Sequence, residues 1–298
     1  MVTGGAGFIG SHVVEALLAR GDDVVVIDDM SNGKHENVPE GARLEINDVR
    51  EFLDEYFEGV EVCFHLAAQV DVRAAVERPD FDAYVNVLGT IRVLEAARDH
   101  GTQVVLASTG GAIYGECDGP APESAERLPM SPYGVSKLAA EEYLAAYNRL
   151  YGTGHVSLRY GNVYGRRQDP HGEAGVVAIF LGRLAASERC RIFGDGSQTR
   201  DYVYAGDVAR ASLAASGQDG GVFNVGTGIE TSVIELYELC RRVAGSDLQA
   251  EHAEARLGEL QRSVLDRSRA ERELGWRPEV GLEEGLRLTW ETIAGPGS

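Results

Sequence analysis

The chain has 298 residues, a net charge of −19, and 44% hydrophobic against 25% charged residues. That length buries a full core, as one large domain or two interleaved ones. The acidic excess excludes nucleic acid and anionic membrane surfaces as partners, since both require basic patches. No apolar run approaches the ~20 residues of a membrane span. Four cysteines stand far apart without a C-x-x-C pair, so neither a metal site nor a disulfide framework is legible. With no charged and apolar leader at the start, a cytoplasmic location is expected.

In chain order, the first feature is Thr3-Gly-Gly-Ala-Gly-Phe-Ile-Gly10, opening a helix over Ser11–Arg20. Gly5, Gly7 and Gly10 satisfy G-x-G-x-x-G, and Gly4, Gly7 and Gly10 a G-x-x-G-x-x-G spacing. Either allows a tight turn and a close approach of backbone to a pyrophosphate seated on the helix N-terminus. Phe8 and Ile9 lie inside that loop. Only Met1 and Val2 precede Thr3, whereas a central strand usually needs about five residues. The expectation is either a recorded start downstream of the true one or a stunted first strand. The apolar run Val24–Ile27 reads as a strand ending at Asp28, 18 residues after Gly10. An acidic residue there accepts hydrogen bonds from an adenosine ribose and repels a 2′-phosphate, which favours NAD over NADP.

Val62–Leu66 and Val104–Ala107 read as further buried strands, and Phe81–His100 and Tyr133–Tyr151 as helices. Strand–helix alternation predicts a Rossmann-type, doubly wound parallel sheet. After about residue 166 the texture changes to glycine-rich turns and scattered arginines, with helices at Val176–Ser187 and Thr231–Ala244. The expected division is a dinucleotide-binding part over 1–165, to which 205–228 return with a strand near Phe223–Gly226. A smaller α/β substrate lobe takes 166–204 and 229–298.

The segment Ser131-Pro-Tyr-Gly-Val-Ser-Lys137 places Tyr133 and Lys137 at i and i+4, on one helix face. A lysine cation and an oxidised nicotinamide both favour the phenolate, so Tyr133 is expected to act as general base with its pKa lowered toward working pH. The chain uses lysine only twice, at Lys34 and Lys137, against 26 arginines. Upstream, Val104–Ala107 runs into Ser108 and Thr109. A hydroxyl at the carboxyl end of a parallel strand stands where such sheets place ligands. Thr109, with Ser108 as the alternative, is expected to hydrogen-bond the reacting oxygen.

In order and spacing, Thr3–Gly10, Asp28, Asp48-Val49, His65-Leu66-Ala67-Ala68, Asn86, Tyr133/Lys137 and Asn162-Val163-Tyr164-Gly165 resemble the extended short-chain dehydrogenases/reductases. Within that family the likeness is to nucleotide-sugar epimerases of the UDP-glucose 4-epimerase kind. Phe193–Val203 resembles the family's second signature, so the likeness covers nearly the whole chain. It implies NAD as cofactor, a UDP-hexose as substrate, and a 4-epimerase that works through a 4-keto intermediate. Asn32 would lie in the loop around the adenosine ribose, Asp48 and Val49 would flank the adenine, and Leu66, Ala67, Ala68 and Gln69 would line the nicotinamide side. Asn86, Tyr133, Lys137 and Tyr160 complete the cofactor contacts. Asn162, Arg200 and Arg256 would hold the diphosphate, with Glu259 near the uridine ribose.

Seven residues after Arg256, the small Ser263 stands where the family gates the sugar's C2 substituent, so N-acetylhexosamines are expected to fit; a gap would shift that gate to Arg262 or Val264. Gly110, Gly111 and Ala112 replace the acid pair of sugar 4,6-dehydratases, which disfavours dehydration. A nucleotide-sugar reductase or decarboxylase is the nearest alternative, and a non-catalytic NAD-sensing regulator a remoter one. The resemblance also implies a homodimer built on the Phe81–His100 and Tyr133–Tyr151 helices, with Leu88, Leu94, Ala97, Leu138, Leu144 and Tyr147 as candidate contacts.

Overall fold

The computed structural model describes residues 1–170, 175–255 and 260–295. Strands β1 (Val2–Thr3), β2 (Val25–Asp28), β3 (Arg43–Ile46), β4 (Val62–His65), β5 (Gln103–Thr109) and β6 (Val156–Tyr160) join a seventh, Gly221–Val225. The sheet order is Gly221–Val225, β6, β5, β4, β1, β2, β3, with every pairing parallel. Its order reverses between β1 and β4, the kind of switch point outside which open α/β sheets bind ligands. Apolar β-branched runs supply strands buried on both faces. β1 has only two residues, yet both are fully buried and paired on each side, and the Met1 ammonium donates to Val62 O at 2.9 Å.

Two cores sandwich the sheet. On one face the helix Phe8–Arg20 and the helix Ala205–Ala215 bury Val13, Val14, Leu17 and Val208. On the other, the helices Gly89–His100 and Pro132–Tyr151 bury Val93, Leu94, Ala97, Leu144 and Tyr147. Four of the residues expected at a dimer contact, Leu94, Ala97, Leu144 and Tyr147, are therefore spent inside the chain's own core, because those helix faces cover the sheet. The opposite faces carry Tyr84, Val135, Tyr143, Leu150 and Tyr151, all exposed.

The expected helix Phe81–His100 is three pieces. An α-turn over Pro79–Ala83 passes through a π-turn at Tyr84–Leu88 into the helix Gly89–His100. Sequence reading did not foresee β3, β6 or that π-turn. A third core, from Phe180, Leu181, Ile192, Leu236, Tyr237 and Leu286, organises the C-terminal region. Nearby, Thr199–Arg200 pairs with Thr231–Ser232 and with Arg262–Ser263 in a small sheet. No helix among the described residues is long and apolar enough to cross a membrane.

Candidate active site

β1 turns through Gly4, at φ +69°, into the Phe8–Arg20 helix, whose N-cap is Gly7. Gly7 N–H donates to Gly4 O at 3.1 Å. A Cβ on Gly4 would stand 2.6 Å from the Ala67 nitrogen, and one on Gly10 would strike the Gly4 carbonyl and lie 2.8 Å from Gly5 Cα. Glycine is required at both. By helix geometry the amides of Phe8, Ile9 and Gly10 lack a carbonyl of their own helix, and so form an anion-binding end.

Asp28 ends β2 with its carboxylate turned to this loop. One oxygen accepts from Ala6 N–H at 3.0 Å, the other from Met30 N–H at 2.9 Å. Burial pushes the carboxyl above its ordinary range, against the pull of those two amides. The following loop folds back over Ala6, whose carbonyl accepts from Lys34 N–H at 3.0 Å and from Asn37 Nδ2 at 2.9 Å. Sequence reading missed Asn37, although a buried asparagine in a charged loop is a signal of such bracing. Asn32 is exposed on the same loop.

Asp48 pairs with Arg50, both carboxylate oxygens lying 2.9 Å from Nε, and that guanidinium holds its carboxyl below the ordinary range. Val49 is buried and faces Gly89. After β4, Leu66 to Gln69 run along the ends of the strands. Thr3 Oγ1 donates to His65 Nδ1 at 2.7 Å and accepts from Ala67 N–H at 3.3 Å. Asn86, in the π-turn, accepts from Gln69 N–H at 2.8 Å and donates to Gln69 O at 3.0 Å. π-turns recur at functional sites, and this one aims Asn86 inward. Ala68 is half-buried in the same run.

The helix bearing Tyr133 and Lys137 starts as its sequence dictates. Ser131 caps it by accepting from Gly134 N–H at 3.2 Å, and Pro132 occupies the first turn. Lys137 is buried and donates to Ala107 O at 3.1 Å. Burial pulls its ammonium down to about 8, while the charges of Asp82 and Glu141 act to raise it. The Tyr133 phenol moves opposite to the expectation. Burial first, then the Asp82 charge, push it well above the ordinary tyrosine value.

Ser108 Oγ is buried without a hydrogen-bond partner. One residue on, Thr109 faces another way. A Cβ on Gly111 would lie 3.6 Å from Asn162 Oδ1 and 3.9 Å from both Thr109 Oγ1 and Ser263 Oγ. Gly111 thus keeps open a small space bordered by three neutral polar groups from three separate segments. Of the alternatives to Ser263, Val264 is buried in the interior, and Arg262 is ion-paired with Glu230, its Nε donating at 2.8 Å. Arg200 lies in the adjoining small sheet and donates to Leu260 O at 2.9 Å. The Tyr160 phenol is committed to the core, 3.1 Å from Ser212 Oγ. Arg256 and Glu259 lie outside the described residues.

Residues 1–226 match the family described as "NAD dependent epimerase/dehydratase family". The chain is 47% identical over 308 residues to the UDP-glucose 4-epimerase of Mycolicibacterium smegmatis, covering 98% of this chain and 97% of that one. A Thermotoga maritima UDP-glucose 4-epimerase solved with UDP-glucose superposes at a TM-score of 0.94, with 45% identity, covering 98% and 97% of the two chains. A Thermus thermophilus UDP-glucose 4-epimerase solved with NAD superposes at 0.92, with 46% identity, covering 99% and 98%.

Proposed function

The chain belongs to the NAD-dependent epimerase/dehydratase family, and from that premise we propose that it interconverts UDP-glucose and UDP-galactose through a 4-keto sugar. It is an NAD-dependent nucleotide-sugar epimerase, like the relatives it matches along its whole length. The residues fit the cofactor: Gly4 and Gly10 let the loop pack against the Ala67 backbone and against itself, which leaves the Phe8, Ile9 and Gly10 amides at an anion-binding helix end, and the Asp28 carboxylate borders the loop. When bound, NAD supplies the hydride acceptor and, in its oxidised form, a positive charge. Gly4, Gly7, Phe8, Ile9 and Gly10 would hold its pyrophosphate, Asp28 and Asn32 the ribose, and Asp48 and Val49 the adenine. Leu66 to Gln69, Asn86 and Tyr160 would line the nicotinamide side.

The observation that carries this reading is the space in front of Gly111. Its neighbours Thr109, Asn162 and Ser263 are neutral, and Gly110, Gly111 and Ala112 offer no carboxylate. These neutral groups can hydrogen-bond a sugar hydroxyl, but they lack the acid–base pair that eliminating water would need. Tyr133 would take the hydroxyl proton at its phenolic oxygen and return it, with Lys137 alongside and Thr109 orienting the reacting oxygen; Ser108 stays the alternative. Asn162, Arg200, Arg256 and Glu259 would anchor the UDP, so that remote binding energy holds the sugar while it turns. Ser263 leaves room for an N-acetyl group.

The same reading places the dinucleotide in 1–165 with 205–228, and the sugar nucleotide against 166–204 and 229–298. It makes the protein a cytoplasmic homodimer joined through the exposed faces of the Tyr84 and Tyr143 helices. The test is to incubate purified protein with UDP-galactose and no added cofactor. Appearance of UDP-glucose by NMR, with NAD released on denaturation, is expected. An unchanged UDP-galactose spectrum despite bound NAD would overturn the reading.

A further inference from the structure

Asp82 is 1% exposed, in the helical turn just before the Tyr84–Leu88 π-turn. Its carboxylate gathers three donors: Gln69 Nε2 at 2.9 Å, Asn86 Nδ2 at 3.1 Å and Ser136 Oγ at 2.5 Å. Each donor comes from a different part of the candidate active site. Gln69 belongs to the run on the nicotinamide side, Asn86 to the π-turn, and Ser136 lies between Tyr133 and Lys137. All three are neutral. A buried ion held only by neutral donors is costly, and a neutral acceptor could serve one or two of them more cheaply. The charge therefore calls for a reason.

Lys137 offers one. It is 5% exposed, and its ammonium donates to the neutral carbonyl of Ala107. Three titratable groups surround it besides Asp82. Tyr133 is a neutral phenol in this environment. His65, behind the strand, is held neutral by burial, its value down at about 3. Glu141, one turn on, is charged but already neutralised by the buried Arg159, with Nη2 at 2.6 Å from its carboxylate. Asp82, hydrogen-bonded to the residue that precedes Lys137, is thus the carboxylate among these groups that no arginine already answers.

We propose that Asp82 is the positioning residue of the reaction centre: its carboxylate fastens Gln69, Asn86 and Ser136 into one unit and supplies the negative charge that keeps the buried Lys137 ammonium charged. The assignment rests on the reaction centre proposed above. Ser136 gives it the mechanical link, because fixing Ser136 fixes the turn that carries both Tyr133 and Lys137. The cost is that the same charge opposes the Tyr133 phenolate, in the direction already found.

Lysine occurs only at positions 34 and 137, so the holoenzyme labelled with [13Cε]lysine gives two signals, and Lys34→Arg assigns them. Wild-type Lys137 is expected to titrate below the ordinary lysine value. In Asp82→Asn the midpoint should fall by ~1 pH unit, the low end for losing a nearby opposite charge, and kcat should drop at least ~10-fold. Ser136→Ala cuts the tie but keeps the charge, so it should lower kcat and leave the midpoint in place. An unmoved midpoint in folded Asp82→Asn overturns the proposal, as does an equal shift in Ser136→Ala. If Asp82→Asn does not fold, Asp82→Glu decides: the midpoint should hold while kcat falls, and a falling midpoint overturns the charge role. Full activity in Tyr133→Phe would instead count against the reaction centre itself.

Discussion

At Tyr133 the chain's own electrostatics favour the wrong protonation state for a base, since burial and Asp82 both stabilise the neutral phenol. For Tyr133 to act as the base proposed above, a positive charge, from the bound cofactor or from Lys137, would have to oppose them. Tyr133→Phe keeps the ring and removes only the hydroxyl. It should bind NAD normally and lower turnover by at least ~10²-fold, the low end for a general acid–base group. Turnover near wild type would remove Tyr133 from the reaction. Ser263 makes a separate steric point. Its hydroxyl borders the space in front of Gly111, opposite Thr109 and Asn162. A tyrosine there would fill the room an N-acetyl group needs, so Ser263→Tyr should depress kcat/KM for UDP-N-acetylglucosamine far more than for UDP-glucose. Equal losses on both sugars would show that Ser263 does not face C2.

Among the elements, the Pro132–Tyr151 helix does two jobs with opposite faces. Leu144 and Tyr147 pack into the core, whereas Val135 and Tyr143 are 54% and 43% exposed. Tyr84 and Leu150 are exposed as well, and apolar side chains left on a surface mark an interaction face where they are contiguous. A symmetric dimer would bury it against its own copy. Val135→Glu with Tyr143→Glu puts like charges across the two-fold and should yield a monomer by light scattering at micromolar concentration. A wild-type monomer under the same conditions would refute the assembly outright. The π-turn at Tyr84–Leu88 belongs to this scale too, since its extra residue sets the angle at which Asn86 meets Gln69.

Among the described residues, the buried histidines His12, His65 and His155 couple stability to pH. Burial lowers His12, His65 and His155, the last two to about 3 and about 4. The unfolded chain takes up these protons near pH 6.5, while the folded chain does so at lower pH. Between pH 6.5 and 5 the unfolded state thus binds more protons, and stability falls with pH. Each fully buried histidine contributes up to ~1.4 kcal/mol per pH unit. Asp28 and Asp201 act in the opposite sense, because burial makes their folded carboxyls the better proton binders. The urea midpoint should therefore drop from pH 7 to pH 5, and His65→Asn should flatten the slope. A midpoint constant over that interval would sink the account.

Features that depend on neighbours along the chain were legible before folding. The glycine loop, Asp28 at a strand end, the Ser-Pro start of the Tyr133 helix and the parallel sheet all follow from local sterics and periodicity. Tertiary structure decided whatever depends on which face an element turns inward. Leu94 and Tyr147 were spent on the core, and Tyr160 turned its phenol toward Ser212. Strand β6 was missed because Val156–Tyr160 buries serine and arginine, the latter matched by Glu141 from another element. Asp82 was invisible for the same reason. An aspartate four residues before an asparagine is unremarked in sequence, and only folding brings Gln69 and Ser136 to its carboxylate. Burial then turns an ordinary charge into one that the neighbouring Lys137 must feel, because the solvent that would screen it has been excluded.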